Sequence, residues 1–154
     1  MTTGYWDWAV EVHGREGVDA ALTQLQDAHG QCVAYLLWAA WAAAQGRPLD
    51  AGALAAGAAL AQRWEAAATG HLRQARRELK APAPPIEDAA REALREQVRK
   101  AEFASERLLM ETLERMAPEP GAPGDLGRAL VDAAGAWRSP APAETLADLA
   151  RRIG

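Results

Sequence analysis

Along most of the chain, apolar positions recur at three- and four-residue spacing, the period of an α-helix with one buried face. Val18, Leu22, Leu25 and His29 step by four, three and four, and Gly30 then supplies the left-handed residue that commonly ends a helix. A first helix is predicted over Tyr5–His13, ending at Gly14, and a second over Val18–His29. A third, Cys32–Gln45, is apolar nearly all round, which places it at the centre of a bundle. Gly46 and Pro48 stop it, and Asp50, flanked by Leu49 and Leu54, caps a fourth helix running toward Leu79 with its weakest point at Thr69-Gly70. Three prolines in residues 81–85 make a stiff connection to the longest helix, Ile86–Met116. Leu126, Leu130, Ala134 and Trp137 mark a short helix capped by Asp125. Leu146, Leu149 and Ile153 mark a last one.

The long helix departs from the pattern of the others. Its apolar positions, Ile86, Ala90, Leu94, Val98, Ala101, Leu108 and Met116, form only a narrow stripe. At about 30 residues it spans ~45 Å, more than a compact bundle of this size requires. Part of it is expected to project, or to pair with a protein partner or a second copy. Its glutamates and arginines alternate, with Glu87–Arg91, Glu96–Lys100 and Glu111–Arg115 at i,i+4, which reads as a solvated face.

Composition sharpens the fold class. Alanine fills 38 of 154 positions, valine and isoleucine only eight, and asparagine none, a balance that favours helices over strands and tight β-turns. The expected fold is all-α, an irregular bundle of about six to seven helices with a central apolar helix and one long amphipathic helix. Residues 1–117 read as a helical core, 118–125 as a Pro/Gly linker, and 126–154 as two short helices packed on that core.

Charge and cysteine content narrow the function classes. A net charge of −4 and a pI near 5.4 weigh against nucleic-acid binding, since that needs a basic surface. The longest uncharged apolar stretch, Cys32–Ala44, has thirteen residues, too few to span a bilayer. A lone cysteine, Cys32, fits a reducing, cytoplasmic compartment and has the apolar neighbours of an inert thiol. No metal-ligand spacing, nucleophile elbow or phosphate loop is recognisable, so no metal, cofactor or catalytic residue is expected and an enzyme ranks behind a binding protein.

Three groups remain as binding candidates. Five of six tryptophans fall in the first 64 residues. Trp6 and Trp8, two apart, point to different faces, whereas Trp38 and Trp41 can touch. These rings either fill gaps left by alanine or line an aromatic pocket or peptide groove. Gln26, Asp27 and His29 end the second helix, as a hydrogen-bonded corner or as a small binding site walled by Trp6 or Trp41. Arg73, Arg76, Arg77 and Lys80 share one helix face. They answer either the helix dipole or an acidic ligand.

With these residues in view, the chain from Tyr5 to Leu113 resembles an uncharacterised proteobacterial family of unknown function. The resemblance is carried by Trp6-x-Trp8, by Leu25-Gln26-Asp27-x-His29-Gly30-x-x-Val33-x-x-Leu36-Leu37, by Trp41, Gly46, Leu49 and Trp64, and by Arg73, Arg76 and Arg77. It implies a helical fold and supplies no activity. The expectation from residues and resemblance together is a helical protein-interaction or regulatory module, with a small-molecule-binding domain as the alternative.

Overall fold

Alanine-rich segments broken by glycine and proline fold as read, into helices joined by short turns. The computed structural model describes residues 3–154, and the described residues form helices and connections with no strand. In chain order these are α1 (Tyr5–His13), α2 (Val18–His29), α3 (Val33–Ala44), α4 (Ala51–Trp64), a π-helical turn (Glu65–Thr69), α5 (Gly70–Glu78), α6 (Asp88–Met116), α7 (Leu126–Ala136) and α8 (Ala143–Ile153). Since α4, the π turn and α5 follow one another without a break, they make seven helical rods among the described residues.

The chain divides into two compact units, with boundaries inside α4 and α6. One comprises the described residues up to Ala61 together with Met110–Gly154, and the other comprises Gln62–Leu109.

The first unit is organised around α3, whose residues Tyr35 to Ala42 are all buried. Its most extensive neighbour is α7. α8 packs on α2 and α7, and α1 packs on α2 and α3. Small alanines let these helices approach closely, and large rings fill the space between them. Tyr5 meets Trp41 with ring centroids 5.5 Å apart, and Tyr35 stacks on Trp137 at 5.4 Å. The indole N–H of Trp41 donates to the Thr3 carbonyl (2.9 Å), and that of Trp137 to the Gly30 carbonyl (2.7 Å). Burial pushes the Tyr35 phenol up to about 12, while its hydroxyl donates to the Leu54 carbonyl at 3.0 Å. At Gly57 any side chain would overlap the Trp38 ring, so glycine here permits close packing rather than a turn.

The ends of these helices follow their caps. Asp50 accepts from the Ala53 amide (2.7 Å) and Asp125 from the Arg128 amide (2.7 Å), satisfying donors that a helix start leaves open. Gly30 has φ +62° and Gly46 φ +66°, left-handed values that glycine adopts without strain. The Pro/Gly segment after α6 lies against the end of α3, where Gly124 N–H donates to Ala43 O (2.8 Å) and Gly121 N–H to Gly46 O (2.6 Å).

Two helices start later than the pattern suggests. α3 begins at Val33 and ends at Ala44 rather than spanning Cys32–Gln45, because Cys32 is extended (φ −95°, ψ 114°) and Gln45 leaves helical geometry. α6 begins at Asp88 instead of Ile86. A turn closed by Ile86 N–H to Ala83 O (2.9 Å) holds Ile86 outside the helix, whose first carbonyl acceptor belongs to Glu87. At Thr69-Gly70, the expected weak point, the chain continues through the π turn, and Gly70 N–H reaches back to Glu65 O. No helix among the described residues is long and apolar enough to cross a membrane.

Candidate protein-interaction site

The second unit has a polar interior. Its buried residues are Thr69, Arg91, Glu102, Ser105 and Leu109, four of them polar or charged. The π turn and α5 supply one side of this seam and α6 the other. Inserting one extra residue per turn, the π geometry places Thr69 where its hydroxyl hydrogen-bonds the Ser105 hydroxyl. Next to that pair, the Trp64 indole donates to the Ser105 carbonyl at 2.8 Å.

One turn further along α5, Arg73 reaches three carboxylates: Glu65 at 3.2 Å, Glu102 at 3.5 Å and Glu106 at 3.6 Å. Arg76, three residues on, grips the other oxygen of Glu102 through its Nε and adds a second bond from its terminal nitrogen at 3.3 Å. Glu102 is thus clasped between two guanidiniums spaced one helical turn apart, which fixes register along the seam. The hydrogen bond that Arg76 donates to Glu102 is the main reason its guanidinium is held above its ordinary pKa. Desolvation pushes the Glu106 carboxyl up, against the pull of Arg73.

Arg91 closes the far end. It donates to the Leu79 carbonyl at 2.6 Å and the Lys80 carbonyl at 3.1 Å, filling acceptors that the end of α5 leaves open. Asp88 and Glu92 balance its charge at 3.1 and 2.9 Å. The reading of the whole charged face of the long helix as solvated therefore needs correction at Arg91 and Glu102. Both are buried, because α5 offers them carbonyls and guanidiniums in place of water. Glu96 pairs with Arg99 at 2.7 Å on the exposed side.

With the polar face turned inward, the apolar stripe faces solvent. Ala90, Ala101 and Met116 are exposed and Val98 is half-buried; Leu94 is 49% exposed, Leu108 55% and Ile86 61%. Phe103, on another side of α6, is also exposed.

The other sequence candidates are distributed as follows. Trp8 and Trp41 are buried in the core of the first unit and Trp6 is half-buried. The Arg47 guanidinium covers the Trp41 ring at 5.2 Å. Gln26 and His29 are half-buried and Asp27 is exposed. The buried side chain at this corner is Gln31, which donates to the Ser139 carbonyl beside Gly30. Arg73 and Arg76 come together in the seam, and Arg77 is exposed. Sequence reasoning gave no site role to Glu65, Thr69, Glu102, Ser105, Glu106 or Gln31. The signal for Glu102 and Glu106 was the match between Arg73-x-x-Arg76 and Glu102-x-x-x-Glu106. That match is legible only once α5 and α6 are known to be neighbours.

Two open depressions lie in the first unit. One, of about 180 Å³, is bordered by Ala39, Ala43, Arg47, Asp125, Arg128 and Asp132, and the other, of about 370 Å³, by Gln24, Glu144, Asp148 and Arg152. Their charged borders are internally paired, Arg128 with Asp132 at 3.2 Å and Arg152 with Asp148 at 2.8 Å. Among the described residues no group of three or more histidine, cysteine, aspartate or glutamate side chains is placed to hold a metal ion.

Fold and site together define an all-helical protein whose two-helix unit hides charge and displays an apolar helix face. The chain belongs to a family described as proteins of unknown function, DUF2390, whose sequence model matches residues 4–113. That span runs from α1 into α6 and includes the whole polar seam. No curated protein and no solved structure matches the chain.

Proposed function

We propose that this protein is a helical protein-interaction module whose docking surface is the outer face of α6. One observation carries the reading: the stripe of Leu94, Ala101 and Leu108 is exposed while Arg91 and Glu102 of the same helix are buried. Fully covering a leucine contributes about 1.5–3 kcal/mol, so two half-exposed leucines offer a partner roughly 2 kcal/mol in all. A continuous apolar helix face is the usual way one helix docks on another. The reading makes this a binding protein rather than an enzyme. A reducing, cytoplasmic setting goes with it, supported by Cys32, the single cysteine of the sequence, which is buried.

The test is the size of the native assembly. Protein purified gently from its own cells should sediment as a species larger than the 16.5 kDa chain. A Leu94→Glu/Leu108→Glu variant should fold, since both side chains are exposed, and sediment as the single chain. Wild-type protein that sediments as a single chain under the same conditions overturns the proposal.

A further inference from the structure

Resting on the reading of the α6 face as a docking surface, we infer that its occupant is a second copy of this chain, with the two α6 helices antiparallel about a two-fold axis through Gln97. The first argument is the spacing of the face. Ala90, Ala93, Gln97, Ala101 and Ala104 are all exposed. They step by three, four, four and three residues, and each alanine points within about 40° of the direction of Gln97 on the helix. The order reads the same from either end. A two-fold interface requires such self-complementarity, because each residue i that meets j is matched by j meeting i. In this register Ala90 faces the partner's Ala104, Ala93 faces the partner's Ala101, and Gln97 faces its own copy.

Size follows the same symmetry. Alanine at the contact positions lets two helices approach to about 8 Å. Leu94, toward one edge, lies over the partner's Ala101, and Leu108 lies toward the partner's Ala90. Each of these leucines thus meets a small side chain.

Gln97 selects a copy over an unrelated apolar partner. It is the polar residue in the middle of the stripe, and an apolar helix would leave its amide buried without donors or acceptors, which is costly. At a two-fold axis the partner's amide supplies one donor and one acceptor in return. A buried amide pair of this kind fixes register and orientation.

Charge agrees with the geometry. Glu96 and Lys100 lie on the same edge of the face, and the two-fold brings each chain's Lys100 beside the partner's Glu96. The contact runs from Ala90 to Leu108, about 27 Å, which belongs with small, reversible interfaces.

The experiment uses the full chain. Its sedimentation mass should rise from one chain toward two as concentration increases through roughly 10–100 μM. Gln97→Cys should give a disulfide-linked dimer under mild oxidation, and Val131→Cys, exposed on α7, should not. Ala90→Glu and Ala104→Lys should each weaken dimerisation at least tenfold, and the double variant should restore it, because the register opposes those two positions. Restoration is the result that a parallel pair does not give. A single-chain mass throughout, with no disulfide link formed by the Gln97→Cys variant, overturns self-pairing. A photo-crosslinker at position 97 in cells then separates the remaining possibilities. An adduct to a different polypeptide keeps the docking face and rejects the copy, and no adduct rejects both.

Discussion

The two units of this molecule solve the same packing problem by opposite means. In the first, α3 is covered by α1, α2 and α7, and the core is filled by Tyr5, Trp8, Leu22, Leu25, Leu130, Leu149 and other apolar side chains. In the second, the π turn and α5 meet α6 through Thr69–Ser105, Arg73, Arg76, Glu102 and Arg91. The hydrophobic unit gains stability from burial in proportion to area. In the polar unit attraction is largely offset by desolvation of the same charges, so its contacts specify register more than they stabilise. What the comparison teaches is where the apolar surface goes. Where α6 buries its charged face against α5, Leu94 and Leu108 are left outward, whereas Leu109 and Leu113, nearer its C-terminal end, are buried.

The largest expected effect tests the hydrophobic unit. Trp41→Ala removes a fully buried ring packed on Tyr5 and hydrogen-bonded to Thr3. Thermal and denaturant unfolding should show a loss of about 3–5 kcal/mol. A loss under about 1 kcal/mol, well below the cost of deleting a core aromatic, would break the claim that the rings around α3 form the core.

Next comes the seam. Glu102→Ala leaves Arg73 and Arg76 without their shared carboxylate. Both arginines retain some exposure, so the cost is set at about 2–3 kcal/mol rather than the full value for a deeply buried pair. Hydrogen exchange should quicken in α5 and the adjoining part of α6, with α3 unchanged. Uniform quickening in both units would show that the seam supports more than its own unit.

Gly57→Ala sharpens the packing side of the comparison. A methyl group there overlaps the Trp38 ring, and overpacking of this kind costs about 1–3 kcal/mol. Gly135→Ala, at an exposed position that meets nothing nearby, should instead leave stability unchanged or raise it by up to about 1 kcal/mol. Equal outcomes at the two glycines would refute the close approach at Gly57.

The smallest effect concerns pH. The folded-state pKa of Glu106 lies above its ordinary value because of desolvation, so the fold favours the protonated carboxyl. Its contribution to stability is fully present below the unfolded pKa, about 4.3, and is lost as pH rises through the raised folded value. Glu106→Gln, always neutral, should therefore melt slightly higher than wild type at neutral pH, and the difference should vanish once the pH falls below the unfolded pKa. A variant that melts lower at neutral pH would mean that attraction to Arg73 outweighs desolvation.

Much of the fold was legible because helices announce themselves locally. The end of α2 at His29-Gly30, the caps at Asp50 and Asp125, and the inward set Leu146, Leu149 and Ile153 all follow from spacing and from the glycine, proline or aspartate at each boundary. The candidate site was legible only in part. Arg73 and Arg76 stood out as a cationic face, and the narrow stripe on the long helix stood out as unlike a core face. Their partners did not stand out, since Glu65, Glu102 and Glu106 look like every other surface glutamate until α5 is laid against α6.

The sequence by itself determined the helices, the bounds of α1, α2, α3 and α6 to within two residues, and the apolar identity of α3. Those depend on interactions between residues a few positions apart, and such interactions are written in order along the chain. Only the tertiary structure decided which face of α6 is inside. A helix carrying both a charged face and an apolar stripe can bury either, and the choice depends on what lies opposite. For α6 that is α5 with Arg73, Arg76 and the open carbonyls of Leu79 and Lys80. The charged side turned inward because its partners were already there, and Leu94 and Leu108 were left facing water.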